Sequence, residues 1–197
     1  MKTNLSTKLT RAIGVGLLFT PVLAQAHPGH SSGLAAGVAH PFTGLDHLAA
    51  MLAAGLWAAQ LKGQARILVP LAFVGAMFIG GMLGTSGMAA PGVQQGIVAS
   101  LFVFGLLVAF ATRLPLWAAL ALTGGFALFH GLAHGSELPL GANSAAYGIG
   151  FVLSTLGLQA IGFGFGAMAM RAGRPGWVRF AGAAVVLAGV LTASGPF

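Results

Sequence analysis

Six residues that could bind a metal ion are grouped in two short stretches of otherwise apolar sequence. The first stretch, 36–58, contains two histidines and an aspartate, and the second, 129–137, contains two histidines and a glutamate. These residues are His40, Asp46, His47, His130, His134 and Glu137. Ionisable side chains are costly in hydrocarbon, so they are usually retained there for a function and given partners. Because these two acids are the whole acidic content of the chain, we expect the two stretches to meet and to bind a metal ion.

The ligand types indicate which metals would fit. The set offers imidazole nitrogens and carboxylate oxygens, and the chain has no cysteine to add a thiolate. Such ligands suit Ni²⁺, Co²⁺, Zn²⁺ or Cu²⁺ better than Ca²⁺ or Mg²⁺, which prefer all-oxygen shells. Affinity alone does not choose among the four, because copper is favoured at almost any site of this kind. The residues therefore predict a site for a late divalent metal.

The spacing within each stretch fits ligands carried on a helix. His40 and His47 are seven residues apart and would share nearly one face, with Asp46 turned by about 100° from His47. Pro41 and Gly44 lie between the histidines and suggest a loosened turn around His40. In the second stretch the three residues follow the i, i+4, i+7 spacing of one helical stripe. Two imidazoles at i and i+4 form a known chelating pair.

Other uses of the same histidines remain open. Facing helices can hold a haem between two histidines, although this leaves both acids without a role. A metal sensor or chaperone would bind the ion without moving it. An intramembrane metalloprotease would need the pattern HExxH, and the segment 130–134 lacks its glutamate, so we expect no enzyme activity.

The composition is that of a polytopic membrane protein. Of the 197 residues, 57% are hydrophobic and only 6% are charged, and the mean hydropathy is +0.92. The formal net charge is +7, but the basic residues are sparse and lie between apolar runs, which argues against a nucleic-acid partner. We therefore predict an all-α bundle of transmembrane helices whose surroundings are a lipid bilayer.

The N-terminal residues 1–26 have the three parts of a secretory signal peptide, the alternative being an uncleaved first helix. A basic start is followed by an apolar core at 12–23 and an A-x-A cleavage site at 24–26. Cleavage would leave residues 27–197 as a single transmembrane domain that begins His27-Pro-Gly-His30. A free α-amine beside an imidazole can chelate a late transition metal. We predict that His27 and His30 collect metal outside the membrane, the alternative being a polar leader without a role.

Six stretches are long and apolar enough to be transmembrane helices, which need roughly 20 residues. They are 34–61, 67–88, 94–112, 114–135, 144–170 and 177–195. Small residues four apart let helices approach closely in lipid, and such glycine pairs occur at 80/84, 131/135 and 162/166. The six spans also divide into two sets of three, which suggests a 3+3 inverted repeat with the site at its interface.

The basic residues predict the orientation of the spans. With residue 27 outside, every turn that contains Lys or Arg after residue 26 is cytoplasmic, as the positive-inside rule requires. Both termini of the mature chain would then be periplasmic. The polar residues of the first and fourth spans would lie at similar depths in the outer half.

At its two motifs the chain resembles the HupE/UreJ family of nickel and cobalt transport proteins. The pattern His, five residues, Asp-His is met at positions 40, 46 and 47. The pattern Phe-His-Gly-x-Ala-His-Gly-x-Glu is met from Phe129 to Glu137 without departure. The resemblance covers the mature chain. It implies a nickel permease of the bacterial inner membrane that serves hydrogenase or urease maturation, with a cytoplasmic metallochaperone as a partner and the six residues above as transport residues.

We thus predict import of a divalent metal, Ni²⁺ first and Co²⁺ second, through a His/Asp/Glu site between helices 1 and 4. The transported ion is the only cofactor expected. A membrane-embedded bis-His haem protein, or a sensor or chaperone that does not transport, is the alternative.

Overall fold

The computed structural model describes residues 32–88, 90–138 and 143–195, and their regular secondary structure is helical. The α-helices are α1 Ser32–Ala39, α2 Leu45–Gln60, α3 Ala65–Thr85, α4 Val93–Ala109, α5 Leu116–Ser136, α6 Ser144–Arg171 and α7 Pro175–Ala193. A short 3-10 helix, His40–Phe42, connects α1 to α2. The predicted all-helical fold class is confirmed. The predicted signal peptide, with His27 and His30, lies outside the described residues.

Four helices, α3, α5, α6 and α7, are long and apolar enough to cross a membrane. The pair formed by α1 and α2 passes the same test as one broken span, which raises the number to five in the described part of the chain. Helix α4 is apolar but has only 17 residues. Each helix overlaps one of the stretches predicted from the sequence, with boundaries that differ by a few residues.

The first predicted span, 34–61, is not one helix, because α1 and α2 meet at an angle of 81°. Pro41 has no N–H to donate to the carbonyl one turn earlier, which interrupts the α-helical ladder. Both the amide and the hydroxyl of Thr43 instead donate to the carbonyl of His40, at 3.0 and 2.7 Å. Gly44 then takes an extended conformation before α2 begins. The loosened turn expected around His40 is therefore a full break in the span.

Glycines bring several helices into backbone contact. A Cβ atom on Gly131 of α5 would overlap the carbonyl of Met77 on α3, and one on Gly162 of α6 would overlap that of Leu52 on α2. The helices α4 and α7 are equally close, because a Cβ on Gly182 of α7 would lie 2.5 Å from an amide nitrogen of α4. Such close approach is the packing expected of small residues in apolar helices. It holds α5 beside α3, and the broken first span beside α6.

Candidate metal centre

The break between α1 and α2 faces the last two turns of α5, and the four histidines of the two motifs meet there. The ring of His134 has its centroid 4.6 Å from that of His40 and 4.2 Å from that of His47. The ring of His130 lies 5.2 Å from that of His47. The two sequence stretches therefore converge, although the helical periodicity expected to align His40 with His47 is interrupted by the break.

Among the described residues, potential ligand atoms form two groups of three, and the atoms of each group lie within 4.8 Å of one another. The inner group consists of His47, His130 and His134, and the outer group of His40, His134 and Glu137. His134 belongs to both. The inner group is largely buried, with His130 completely so, whereas the side chain of Glu137 is 55% exposed. The two groups of potential ligands therefore adjoin each other and share one imidazole.

Asp46 lies outside both groups and contacts one of their members. Its Oδ1 accepts hydrogen bonds from Nδ1 of His47 at 2.6 Å and from the backbone N–H of His47 at 2.8 Å. Because Nδ1 donates, the lone pair of His47 is on Nε2, which is buried and has no hydrogen-bond partner in the protein. A carboxylate that orients a metal-binding histidine in this way also raises its basicity. The geometry supports Asp46 as a partner of His47 and not as a direct ligand.

Glu137 follows the last residue of α5 as its C-cap. Nε2 of His40 donates a hydrogen bond to its Oε2 at 3.2 Å, and this contact lowers the pKa of the Glu137 carboxyl below its ordinary value. Glu137, the last residue of the helical stripe predicted for the second motif, therefore lies just beyond the end of α5. Its side chain contacts the broken first span through His40.

Both ring nitrogens of His134 are buried and have no hydrogen-bond partner in the protein. The ring packs against Phe151 of α6, with centroids 4.1 Å apart. A largely apolar cavity of about 240 Å³ adjoins it between α3 and α6, lined in part by Met77 and Tyr147. Buried polar groups normally have partners. Unpaired imidazole nitrogens at the point shared by two ligand groups are consistent with a site for an ion.

An aromatic block closes the inner side of the histidines. The ring of Phe73 lies 5.8 Å from that of His130 and 6.2 Å from that of Phe104. The indole of Trp57 continues the block 6.3 Å from Phe104 and donates its N–H to the carbonyl of Thr112. All three aromatic residues are fully buried. An ion at the inner group therefore meets a dry apolar barrier toward the far end of α2.

Two polar residues of α4 contact the site, and sequence reasoning missed both. The hydroxyl oxygen of Ser100 lies 2.9 Å from Nε2 of His130. The side-chain amide of Gln94 donates to Oδ2 of Asp46 at 3.5 Å. They are six residues apart within an apolar helix, and the presence of polar residues in that apolar sequence was the available signal.

Comparison with known proteins extends the observations beyond the two motifs. The family model described as HupE / UreJ protein matches residues 15–192. Protein HupE of Rhizobium leguminosarum bv. viciae is 44% identical over 186 residues, which cover 93% of this chain and 95% of that protein. No solved structure matches the chain. The match includes both motifs and every helix but the end of α7, and the chain belongs to the HupE/UreJ family.

Proposed function

We propose that this protein is a permease that carries a late divalent metal ion, Ni²⁺ first and Co²⁺ second, across the membrane. The HupE/UreJ family is associated with nickel and cobalt transport. The observation that supports this function most strongly is the pair of ligand groups joined by His134. A single closed cage would hold an ion, whereas adjoining partial sites can exchange it.

The proposed path begins at the exposed outer group. A hydrated ion meets Glu137 and His40 first, because these side chains are the most accessible, at 55% and 22% exposure. Their ligand atoms replace part of the water shell. His134 then transfers the ion to His47 and His130 without a step in which all protein ligands are lost. The two carboxylates offset the charge of the ion, Glu137 from within the outer group and Asp46 through His47.

Entry beyond the inner group requires the aromatic block of Trp57, Phe73 and Phe104 to move. A dry apolar constriction is a recognised form of gate. The described structure is closed at this point, with the three rings in a continuous buried series. An inside-negative potential would favour inward movement of a divalent cation by about 4.6 kcal/mol per 100 mV.

We place the protein in the bacterial inner membrane with six crossings and both mature termini in the periplasm. The broken pair α1–α2 and the helices α3 to α7 would each cross once. Seventeen residues give α4 a length of about 25 Å, near the lower limit for a span. The exposed Lys62 lies in a turn that this orientation makes cytoplasmic, with Arg113 and Arg174 in the other two.

The helix contacts support the inverted repeat. In such a repeat the broken first span, α3 and α4 correspond to α5, α6 and α7, in that order. The contact of α3 with α5 then corresponds to the contact of α6 with the broken first span. In both helix pairs, a glycine of one helix lies against a backbone carbonyl of the other. The helices α4 and α7 correspond to each other, and they are in contact at Gly105 and Gly182. The two histidine motifs then lie in equivalent spans, as transporter sites built at a repeat interface do.

Signal-peptide cleavage after residue 26 and metal collection by His27 and His30 remain part of the proposal. The family association supports delivery of the metal to hydrogenase or urease maturation, and a cytoplasmic metallochaperone would receive it.

The bis-His haem alternative fits the geometry poorly. A haem needs two axial imidazoles on opposite faces of its macrocycle. The rings of His47 and His134 instead pack against each other with centroids 4.2 Å apart, which leaves no slot for the macrocycle between them.

Ion flux into proteoliposomes that contain the purified wild-type protein tests the function. With an inside-negative potassium diffusion potential, we expect Ni²⁺ or Co²⁺ to enter faster than into protein-free liposomes. Zn²⁺ and Cu²⁺ in parallel measure the selectivity. Metal binding without flux would identify a sensor or chaperone, and a Soret absorption band would identify a haem protein.

A further inference from the structure

Ser100 lies on α4, completely buried, between a backbone carbonyl and one histidine of the inner group. Its hydroxyl is 2.6 Å from the carbonyl oxygen of Ile97 and 2.9 Å from Nε2 of His130. No part of the proposed function above uses this residue. It lies outside both motifs and more than 25 residues from either.

The available protons determine the direction of these hydrogen bonds. A serine hydroxyl has one proton to donate. The carbonyl of Ile97 can only accept, so the serine proton is used there. The contact with His130 therefore requires the imidazole to donate its Nε2–H to the serine oxygen. The lone pair of the neutral ring is then on Nδ1, which is buried and has no hydrogen-bond partner in the protein.

The neighbouring histidine is held in the opposite tautomer. Asp46 accepts from Nδ1 of His47, which places that lone pair on Nε2. The two rings are nearly perpendicular, with an interplanar angle of 88° and centroids 5.2 Å apart. The imidazoles of His47 and His130 thus each donate their one N–H to a residue outside the inner group. Each ring then has a lone pair that can bind an ion.

We propose that Ser100 is a positioning residue of the inner metal site, which holds His130 in the Nε2-protonated tautomer so that Nδ1 binds the ion. The ligand is a late divalent metal cation held by neutral imidazoles. The inference rests on the proposed function to the extent that the inner group binds the transported ion. Without the serine oxygen, the ring can protonate on Nδ1, and that tautomer offers a proton where the ion should bind.

Three variants of the full-length protein in detergent test the proposal. Ser100→Ala removes the acceptor, and Ser100→Thr keeps a hydroxyl. Ser154→Ala is the matched control, because Ser154 is also a buried serine that donates to a backbone carbonyl, that of Val38, and within the described residues it has no hydrogen bond to a histidine. Ni²⁺ affinity is measured by calorimetry, the coordination of bound Co²⁺ by its visible absorption, and metal-free stability by the thermal midpoint.

We expect Ser100→Ala to weaken Ni²⁺ binding by about 10- to 100-fold, the usual effect of removing a partner of a metal-binding histidine. The Co²⁺ spectrum should change, Ser100→Thr should recover part of the affinity, and Ser154→Ala should bind as wild type does. Unchanged affinity and spectrum in Ser100→Ala would overturn the proposal. An equal loss in Ser154→Ala would also overturn it, since that loss would be structural.

A measurement on the wild-type protein covers the case in which Ser100→Ala does not fold. Nitrogen-15 NMR of labelled histidines distinguishes the two tautomers in the metal-free protein. We expect His130 to carry its proton on Nε2 and His47 on Nδ1, and an Nδ1–H on His130 would contradict the role of Ser100. Failure of ion flux in liposomes would instead contradict transport and leave these binding data valid.

Discussion

At the scale of single residues, the two acids of the chain have different surroundings. Asp46 is nearly buried and accepts two hydrogen bonds from His47. Glu137 is half exposed and belongs to the outer ligand group itself. In the proposed mechanism, one carboxylate therefore acts through a histidine at the buried end of the site, and the other meets the ion at the exposed end.

This difference predicts unequal effects of removing the two charges. Asp46→Asn should reduce Ni²⁺ affinity by about 10- to 100-fold, because the partner of a metal-binding histidine loses its charge. Glu137→Gln should have a smaller effect, because solvent screens an exposed charge. Calorimetric titration of both variants with Ni²⁺ provides the comparison. A larger loss in Glu137→Gln would show that Asp46 does not act in the way the geometry indicates.

The sequence predicted six site residues, and the structure brings them close together in an arrangement that spacing did not predict. Ionisable side chains stand out in apolar helices, so all six residues of the two motifs were candidates from the sequence alone. Whether a carboxylate touches the ion or a histidine depends on its rotamer, which spacing does not define. Ser100 was not found, because one serine in an apolar helix is common and becomes notable only when His130 of another helix lies beside it.

At the scale of helices, the broken first span brings the outer and inner groups to one histidine. The 3-10 turn places His40 against Glu137 and His134, while α2 begins anew and points His47 at the same ring. A straight helix would stack His40 two turns beyond His47, about 10 Å away. The sequence showed the weak point through Pro41 and Gly44. The 81° angle depends on packing against α6, which local sequence does not contain.

Glycine packing between α3 and α5 provides a test at this scale. Gly131→Ala should destabilise the bundle by about 1–3 kcal/mol, because the new methyl group would overlap the carbonyl of Met77 in a tight helix pair. Gly125→Ala on the same helix is the matched control, since nothing lies within 4 Å of a Cβ there. Thermal unfolding in detergent should show a lower midpoint for Gly131→Ala and no decrease for Gly125→Ala. Equal midpoints would mean that this helix contact is not close in the membrane.

At the scale of the whole molecule, the proposed transport path has an open end and a closed end. The exposed outer group and the buried inner group lie in series, and the block of Trp57, Phe73 and Phe104 follows. Hydropathy predicted the helices well because each apolar run is bounded by charged or Pro/Gly-rich residues. It could not predict the block, because aromatic residues in apolar helices are common and their stacking depends on how three helices pack.

The proposed topology can be tested with single cysteines, since the chain has none of its own. Ser86→Cys lies in the exposed turn between α3 and α4, and Lys62→Cys lies in the exposed turn between α2 and α3. In intact bacterial spheroplasts, a membrane-impermeant maleimide should label Ser86→Cys alone. Lys62→Cys should be labelled only after the membrane is broken. Labelling in the reverse pattern would invert the orientation and place the histidine site on the cytoplasmic side.

Ni²⁺ flux through a His134→Gln variant in proteoliposomes tests the central claim most directly. His134 belongs to both ligand groups, so its replacement should interrupt the transfer between them. An amide is a much poorer ligand than imidazole for a late transition metal, and flux should fall by at least about tenfold at equal protein content. Gly125→Ala, on the same helix and away from the site, should transport as wild type does. Wild-type flux in His134→Gln would contradict the account, because the ion would then cross by a path that does not include the shared histidine.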